Sequence, residues 1–158
     1  MRLSTKGRYG VVAMLDIAMY SKENEYVSIF SISERNNISV SYLEQLFIKL
    51  KKHNLVISAK GPKGGYRLKR LPSEIFVSEI VNAVDETINF MGCTVATKVC
   101  SKSKHCNSHD LWHYLMNRVH DYLEQISLET VINKEFTLIE PRINNKIQEK
   151  TRGCNAKQ

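Results

Sequence analysis

Between residues 28 and 70, two short amphipathic segments flank a pair of asparagines and run at once into a glycine-rich reversal, and few folds accommodate that order. In "SVSYLEQLFIKLKKHN", residues 39 to 54, Leu43, Leu46, Phe47 and Leu50 fall at i, i+3, i+4 and i+7, so they share one helix face that must be covered. Ser39 is the expected N-cap, although Ser41 followed three residues later by Glu44 also fits a capping box. Upstream, Ser28 is expected to cap a short helix with Ile29 and Ile32 inward. Asn36 and Asn37 end it, because asparagine tolerates the left-handed conformation of a tight turn. Downstream, "LVISAK" predicts a strand, "GPKGG" a tight turn and "YRLKR" a returning strand of alternating apolar and basic residues. Helix, turn, helix and basic hairpin in this order predict a winged helix-turn-helix, whose second helix enters the major groove of DNA. Lys60 and Lys63 stand at the wing tip, where Gly61 and Gly64 would let backbone approach a phosphate or groove wall. An ordinary hairpin with solubilising lysines shares the pattern; its place behind the second helix favours the wing.

Charge points the same way. Residues 1 to 70 carry 13 Lys and Arg against 5 Asp and Glu, whereas residues 71 to 158 carry 10 against 11. Such a basic half attracts nucleic acid or an anionic membrane. A membrane span is not expected: the longest apolar-leaning stretch, "YGVVAMLDIAMY", is interrupted by Asp16 and falls short of the roughly 20 residues a spanning helix needs. The expected location is cytoplasmic, and thiols there stay reduced, so clustered cysteines point to a metal or redox site rather than disulfides.

The remaining segments extend a mainly α fold with one small β-hairpin. A helix from Ser4 or Thr5 to about Tyr20 is expected to present Tyr9, Val12, Ala13, Leu15, Ile17 and Met19 as a broad apolar face. After Pro72 a further helix should turn Ile80, Val81 and Val84 inward. "HDLWHYLMNRVHDYLEQI", residues 109 to 126, predicts one long helix with Leu111, Leu115, Val119, Tyr122 and Ile126 in a stripe. The same helix of a second copy would cover that stripe, giving a two-fold homodimer. The organisation expected is a winged helix-turn-helix DNA-binding domain over 1–86, a ligand loop over 87–109, a dimerisation helix region over 110–133 and a disordered tail over 134–158. Cys154 lies in that tail, remote from the other cysteines.

Cys93, Cys100, Cys106 and His109 form a C-x6-C-x5-C-x2-H pattern, with His105 and His113 as spare imidazoles. Structural zinc sites also use three cysteines and a histidine, but usually with one close C-x2–4-C pair. An iron–sulfur cluster spreads its ligands over two irons and suits wider gaps. Cluster, zinc and unligated thiols all remain open on spacing alone. No nucleophile and base pair stands out, so an enzyme is not expected.

"MRLSTKGRYGVVAMLDIA", "ISERNNISVSYLEQLFIKLKK", "LVISAKGPKGGYRL", "AVDE" and the C…C…C-x2-H-x-L-W run together resemble the Rrf family of winged-helix repressors, and within it the bacterial iron–sulfur cluster regulators. The resemblance runs in order from Met1 to about Asn133. It implies a transcriptional regulator of cluster-assembly genes that binds double-stranded promoter DNA as a homodimer and takes its cluster from assembly-machinery donors. It implies that Cys93, Cys100, Cys106 and His109 hold a [2Fe-2S] cluster, with His105 the rival fourth ligand. Ser39, Ser41, Tyr42, Glu44 and Gln45 would lie at the major groove, and Lys60 with the glycine-rich turn at the minor groove. Two positions depart from the family pattern: Lys60 stands where arginine is typical, and the first ligand gap is one residue long. Nitric-oxide-sensing relatives place an acidic ligand near the amino terminus, where this chain has Arg8. A cluster-free repressor of cysteine metabolism, with idle or zinc-bound thiols, and a redox electron carrier are the rival readings.

Overall fold

The computed structural model describes residues 4–21, 25–84, 94–95, 98–99 and 109–136. Its elements run α1 (Thr5–Tyr20), α2 (Ile29–Asn36), α3 (Val40–Lys52), β1 (Val56–Ala59), β2 (Gly65–Leu68), a 3-10 turn (Pro72–Glu74), α4 (Val77–Val84), β3 (Thr94–Val95), β4 (Lys98–Val99), α5 (His109–Leu123) and α6 (Leu128–Asn133). The winged helix-turn-helix with a small hairpin is therefore present.

Local chemistry sets most boundaries. Ser4 caps α1 by accepting the Gly7 N–H at 3.1 Å, and Ser28 caps α2 through the Phe30 N–H at 3.3 Å. Asn37 ends α2 at φ 52°, the left-handed conformation expected of it. Ile38 then plugs the turn while the Ser33 hydroxyl donates to its carbonyl at 2.6 Å. α3 begins two residues later, at Val40, and its stripe of Leu43, Leu46, Phe47 and Leu50 is wholly buried.

The wing is a three-strand arrangement rather than a bare hairpin. β1 and β2 pair antiparallel from Val56 opposite Leu68 to Ala59 opposite Gly65. On the other edge of β2, Val27 and Tyr66 exchange N–H to carbonyl bonds of 2.8 and 2.9 Å. Gly65 sits between these partners at φ 149°, and any Cβ there would run into the Val27 carbonyl.

Three sequence expectations change. On α1, Ala13 and Ile17 are buried and Tyr9, Val12 and Leu15 pack half-buried against the core as expected, but Met14 and Asp16 join the buried face and Met19 is exposed, because the covering elements lie along the 10–13–14–17 line. The long helix stops at Leu123 instead of continuing through Ile126. Ile126 instead joins an antiparallel bridge: the Val77 N–H donates to its carbonyl and the Leu128 N–H donates to that of Ile75, both at 2.9 Å. Third, residues 128–133 form a separate helix, capped by Ser127, whose Leu128 is fully buried in the same core as α1 and α3.

Asp16, which interrupts the apolar run, is the hub of a polar network. Arg35 donates to its carboxylate from Nε at 3.0 Å and Nη2 at 2.6 Å, and Asn36 Nδ2 donates at 2.7 Å. The same Asn36 amide reaches the Ile32 carbonyl at 2.9 Å, so α1 is tied to the end of α2 at its turn. This bonding holds the Arg35 guanidinium protonated still more firmly than usual, and the Tyr20 ring covers it at 4.2 Å. The Asp16 side chain is only 4% exposed, so removing it strands a cation and an amide. Asp16→Ala is expected to lower stability by about 2–3 kcal/mol, since Arg35 keeps partial access to water. Urea unfolding checks this; a loss below about 0.5 kcal/mol, the range of an ordinary surface change, would contradict it.

Candidate nucleic-acid interface and ligand segment

With its 43–46–47–50 face buried, α3 turns Ser41, Glu44, Gln45, Ile48 and Lys52 to solvent. These positions recur at three- to four-residue intervals and make one continuous exposed face. Ser39 is the N-cap residue by position, yet its side chain makes no capping bond. Because the helix starts at Val40, Ser41 and Glu44 do not form the alternative capping box, and both remain exposed. Tyr42 lies at the edge of the face, half-buried, with its ring packed edge-on against Tyr9 at 5.7 Å.

The wing is braced directly on this helix. Phe47 stacks on Tyr66 of β2 with centroids 4.1 Å apart and planes 14° apart, and Lys51 Nζ donates to the Ser58 hydroxyl on β1 at 2.7 Å. At the tip, the Gly64 N–H donates to the Gly61 carbonyl at 2.9 Å. A Cβ at Gly64 would strike the Ala59 carbonyl, so the turn's own closure demands glycine there. Lys60, Gly61 and Lys63 are exposed, and neither lysine forms an ion pair among the described residues.

Not every cation of the basic half is free in this way. Lys49 reaches the Val84 carbonyl at 3.2 Å, Lys69 the Asn54 side chain at 2.7 Å, and Arg70 pairs with Glu79. Lys52, Lys60 and Lys63, with Lys6 and Arg8 on α1, are exposed cations left for a polyanion.

The proposed ligands are placed less fully. Cys93, Cys100 and Cys106 lie outside the described residues, and His109 is the first residue of α5, its side chain not described. β3 and β4 pair antiparallel with Thr94 opposite Val99. In sequence, Cys93 directly precedes that pair and Cys100 directly follows it. On α5, Leu111, Tyr114 and Tyr122 are exposed, while Leu115 and Val119 are half-buried. Among the described residues no helix is long and apolar enough to cross a membrane.

Residues 3–134 match the model of the Rrf2 family, described as iron-dependent transcriptional regulators. The chain belongs to the Rrf2 family. It is 46% identical over 138 residues to the HTH-type transcriptional regulator IscR of Photorhabdus laumondii, covering 87% of this chain and 83% of that protein. The IscR of Serratia proteamaculans is 44% identical over 146 residues, covering 92% and 88%. Among solved structures, T. potens IscR superposes with a TM-score of 0.68 at 32% identity, covering 85% of this chain and 88% of that one. CymR, the global cysteine regulator of B. subtilis, also gives 0.68, at 30% identity, covering 85% and 98%. This Rrf2 chain is thus a DNA-binding transcriptional regulator with a winged-helix fold.

Ile48 and Lys52 were not singled out in the sequence; the signal for them is the unburied phase of the α3 stripe. A second consequence concerns Tyr66, whose phenol is held above its ordinary value of 10.0 by burial and then by the nearby Glu44 carboxylate. The folded protein therefore keeps this proton after the unfolded chain has released it. The stabilisation is fully present below about pH 10 and is lost as pH rises through the raised folded value. Tyr66→Phe should flatten the alkaline fall in urea midpoint relative to wild type, and parallel alkaline limbs would refute the assignment.

Proposed function

We propose that this Rrf2 regulator binds operator DNA as a homodimer and reports iron–sulfur cluster supply through a [2Fe-2S] cluster held by Cys93, Cys100, Cys106 and His109. The observation that carries the reading is the donor set itself: three thiols between α4 and α5 and an imidazole on the first residue of α5, in a chain 46% identical to an IscR. Its chemistry fits the group, because thiolates favour iron–sulfur clusters and an imidazole can replace one of them. The antiparallel pairing of β3 with β4, which lies in sequence between the first two cysteines, supports assigning both to one site despite the six-residue gap.

A bound cluster would supply a group sensitive to iron and oxidants, whose presence or loss is the signal. The chain's own residues do the rest. Cys93, Cys100 and Cys106 would supply thiolates, and His109 would tie the ligand segment to the first turn of α5. One imidazole in place of a fourth thiolate makes the donor set less tight, which suits a sensor. The exposed apolar residues of α5, Leu111, Tyr114 and Tyr122, support pairing with the same helix of a second copy. Ser39, Ser41, Tyr42, Glu44 and Gln45 would read the major groove, and Lys60, Gly61, Lys63 and Gly64 would meet the backbone and minor groove. The target promoters would be those of cluster-assembly genes, with the assembly machinery as cluster donor, in the cytoplasm, and without enzymatic activity.

A cluster-free regulator is the second reading, supported by a structural likeness to CymR equal to that to T. potens IscR. Anaerobic purification separates the two. A brown protein with visible absorption and matching iron and sulfide supports the cluster; a colourless protein carrying zinc defeats it. Cys93→Ala, Cys100→Ala and Cys106→Ala are each expected to lose the visible absorption, whereas Cys154→Ala keeps it.

DNA binding should weaken steeply with salt, because each Lys or Arg that neutralises a phosphate releases a counterion. Lys60→Ala and Lys63→Ala should each reduce the slope of log K against log salt by about 1. Unchanged slope and affinity in both would remove the wing from the DNA.

Glu44 acts as a discriminator. Its carboxylate accepts most naturally from the cytosine amino group, since the adenine amino group lies beside the repelling N7 acceptor, and it is repelled by phosphates and base acceptors. Glu44→Ala is expected to admit duplexes that the wild type rejects by about 1–3 kcal/mol at the contacted pair. A uniform loss across a duplex panel, with no newly accepted site, would reduce Glu44 to a contributor to helix stability.

A further inference from the structure

The exposed face of α3 contains one side chain that suits neither phosphate nor hydrogen-bonded base readout. Ile48 is 68% exposed, the only large apolar residue that this helix shows to solvent. It lies between Glu44 and Lys52, four residues from each, with Ser41 and Gln45 on the same face. A single exposed apolar residue is ordinary on a protein surface and by itself implies nothing. Its place on this face is what matters. A β-branched residue serves an exposed helix position less well than the straight-chain polar residues around it, so neither solubility nor helix stability accounts for it.

DNA offers one apolar feature in the major groove, the C5-methyl of thymine; every other base edge there presents donors or acceptors. We propose that Ile48 is a specificity-determining residue that packs on a thymine methyl within each half-site. The inference rests on α3 as the reading helix. Ile48 sits about 6 Å along the helix axis from Glu44, by the rise of an α-helix. That separation is under two base-pair steps of about 3.4 Å each, so the thymine lies within two pairs of the one that Glu44 faces. Neighbouring Glu44 and Gln45 discriminate by hydrogen bonding, whereas Ile48 discriminates by desolvation: a cytosine amino group or an adenine edge beneath it would be buried without a partner. The face therefore reads one pair by polarity and a nearby pair by its methyl group.

The test isolates the methyl. The purified full-length chain selects its preferred duplex from a randomised pool, and each thymine of that duplex is then replaced in turn by uracil, which lacks only the methyl. Affinities are measured by fluorescence anisotropy for wild type and Ile48→Ser, with circular dichroism showing both folded. The wild type is expected to bind about fourfold more weakly at one uracil position per half-site, the effect of one buried methyl group. Ile48→Ser should be indifferent to the same replacement. A flat scan for the wild type, or a loss that persists undiminished in Ile48→Ser, overturns the proposal. Glu44→Ala and Gln45→Ala on the parent duplex serve as the control: altered binding with a flat uracil scan removes Ile48 alone. If all three variants bind like the wild type, the reading-helix assignment falls and the Ile48 proposal falls with it.

Discussion

Burial of Leu43, Leu46, Phe47 and Leu50 beneath α3 is the constraint on which the interface depends. A helix has one rotational phase relative to its core, so fixing four side chains inside also fixes which ones face out. Phe47 does this twice over. It fills the core and stacks on Tyr66, the central strand position bonded to Val27 on one side and opposite Ser58 on the other. Reading helix and wing are consequently indexed to each other through one aromatic pair, with the Lys51–Ser58 bond as a second brace.

Electrostatics refines what the net charge suggests. A +8 amino-terminal half reads as a broad attraction for polyanions, yet much of it is spoken for internally: Arg35 by Asp16, Arg70 by Glu79, Lys49 by the last carbonyl of α4. Such cations stabilise helix junctions and contribute to DNA affinity only as a diffuse field. The cations that can release counterions one by one are those left exposed, with Lys60 and Lys63 at the wing.

What was legible in the sequence was local. The α3 stripe, the Asn37 turn, the Ser4 and Ser28 caps and the glycine-rich hairpin all depend on residues a few positions apart, and each is where the pattern puts it. What was not legible depends on distant partners. Asp16 reads as a flaw in an apolar run until Arg35, nineteen residues on, supplies its partner. Ile126 continues the heptad-like stripe of α5 perfectly well, and only the backbone of Ile75 and Val77 draws it out of the helix. The distinction between Ser39 and Ser41 as cap turned on a two-residue difference in where α3 begins, and with it whether Glu44 sat in a capping box or on the exposed face. The proposed cysteine and histidine ligands rest on their donor pattern alone, since the cysteines lie outside the described residues.

The bridge between Phe76 and Ser127 carries an implication for how the molecule is wired. Val84 at the end of α4 and Leu128 at the start of α6 belong to one interior with Met14 and Phe47. In sequence the three thiols and α5 fall between these two points, and α5 is anchored at its carboxyl end, where Leu123 packs with Val77, Val81 and Ile126. The bridge fixes the chain just beyond the carboxyl end of α5 to the start of α4, so a displacement of α5 at that end is delivered to the base of the unit that carries the reading helix.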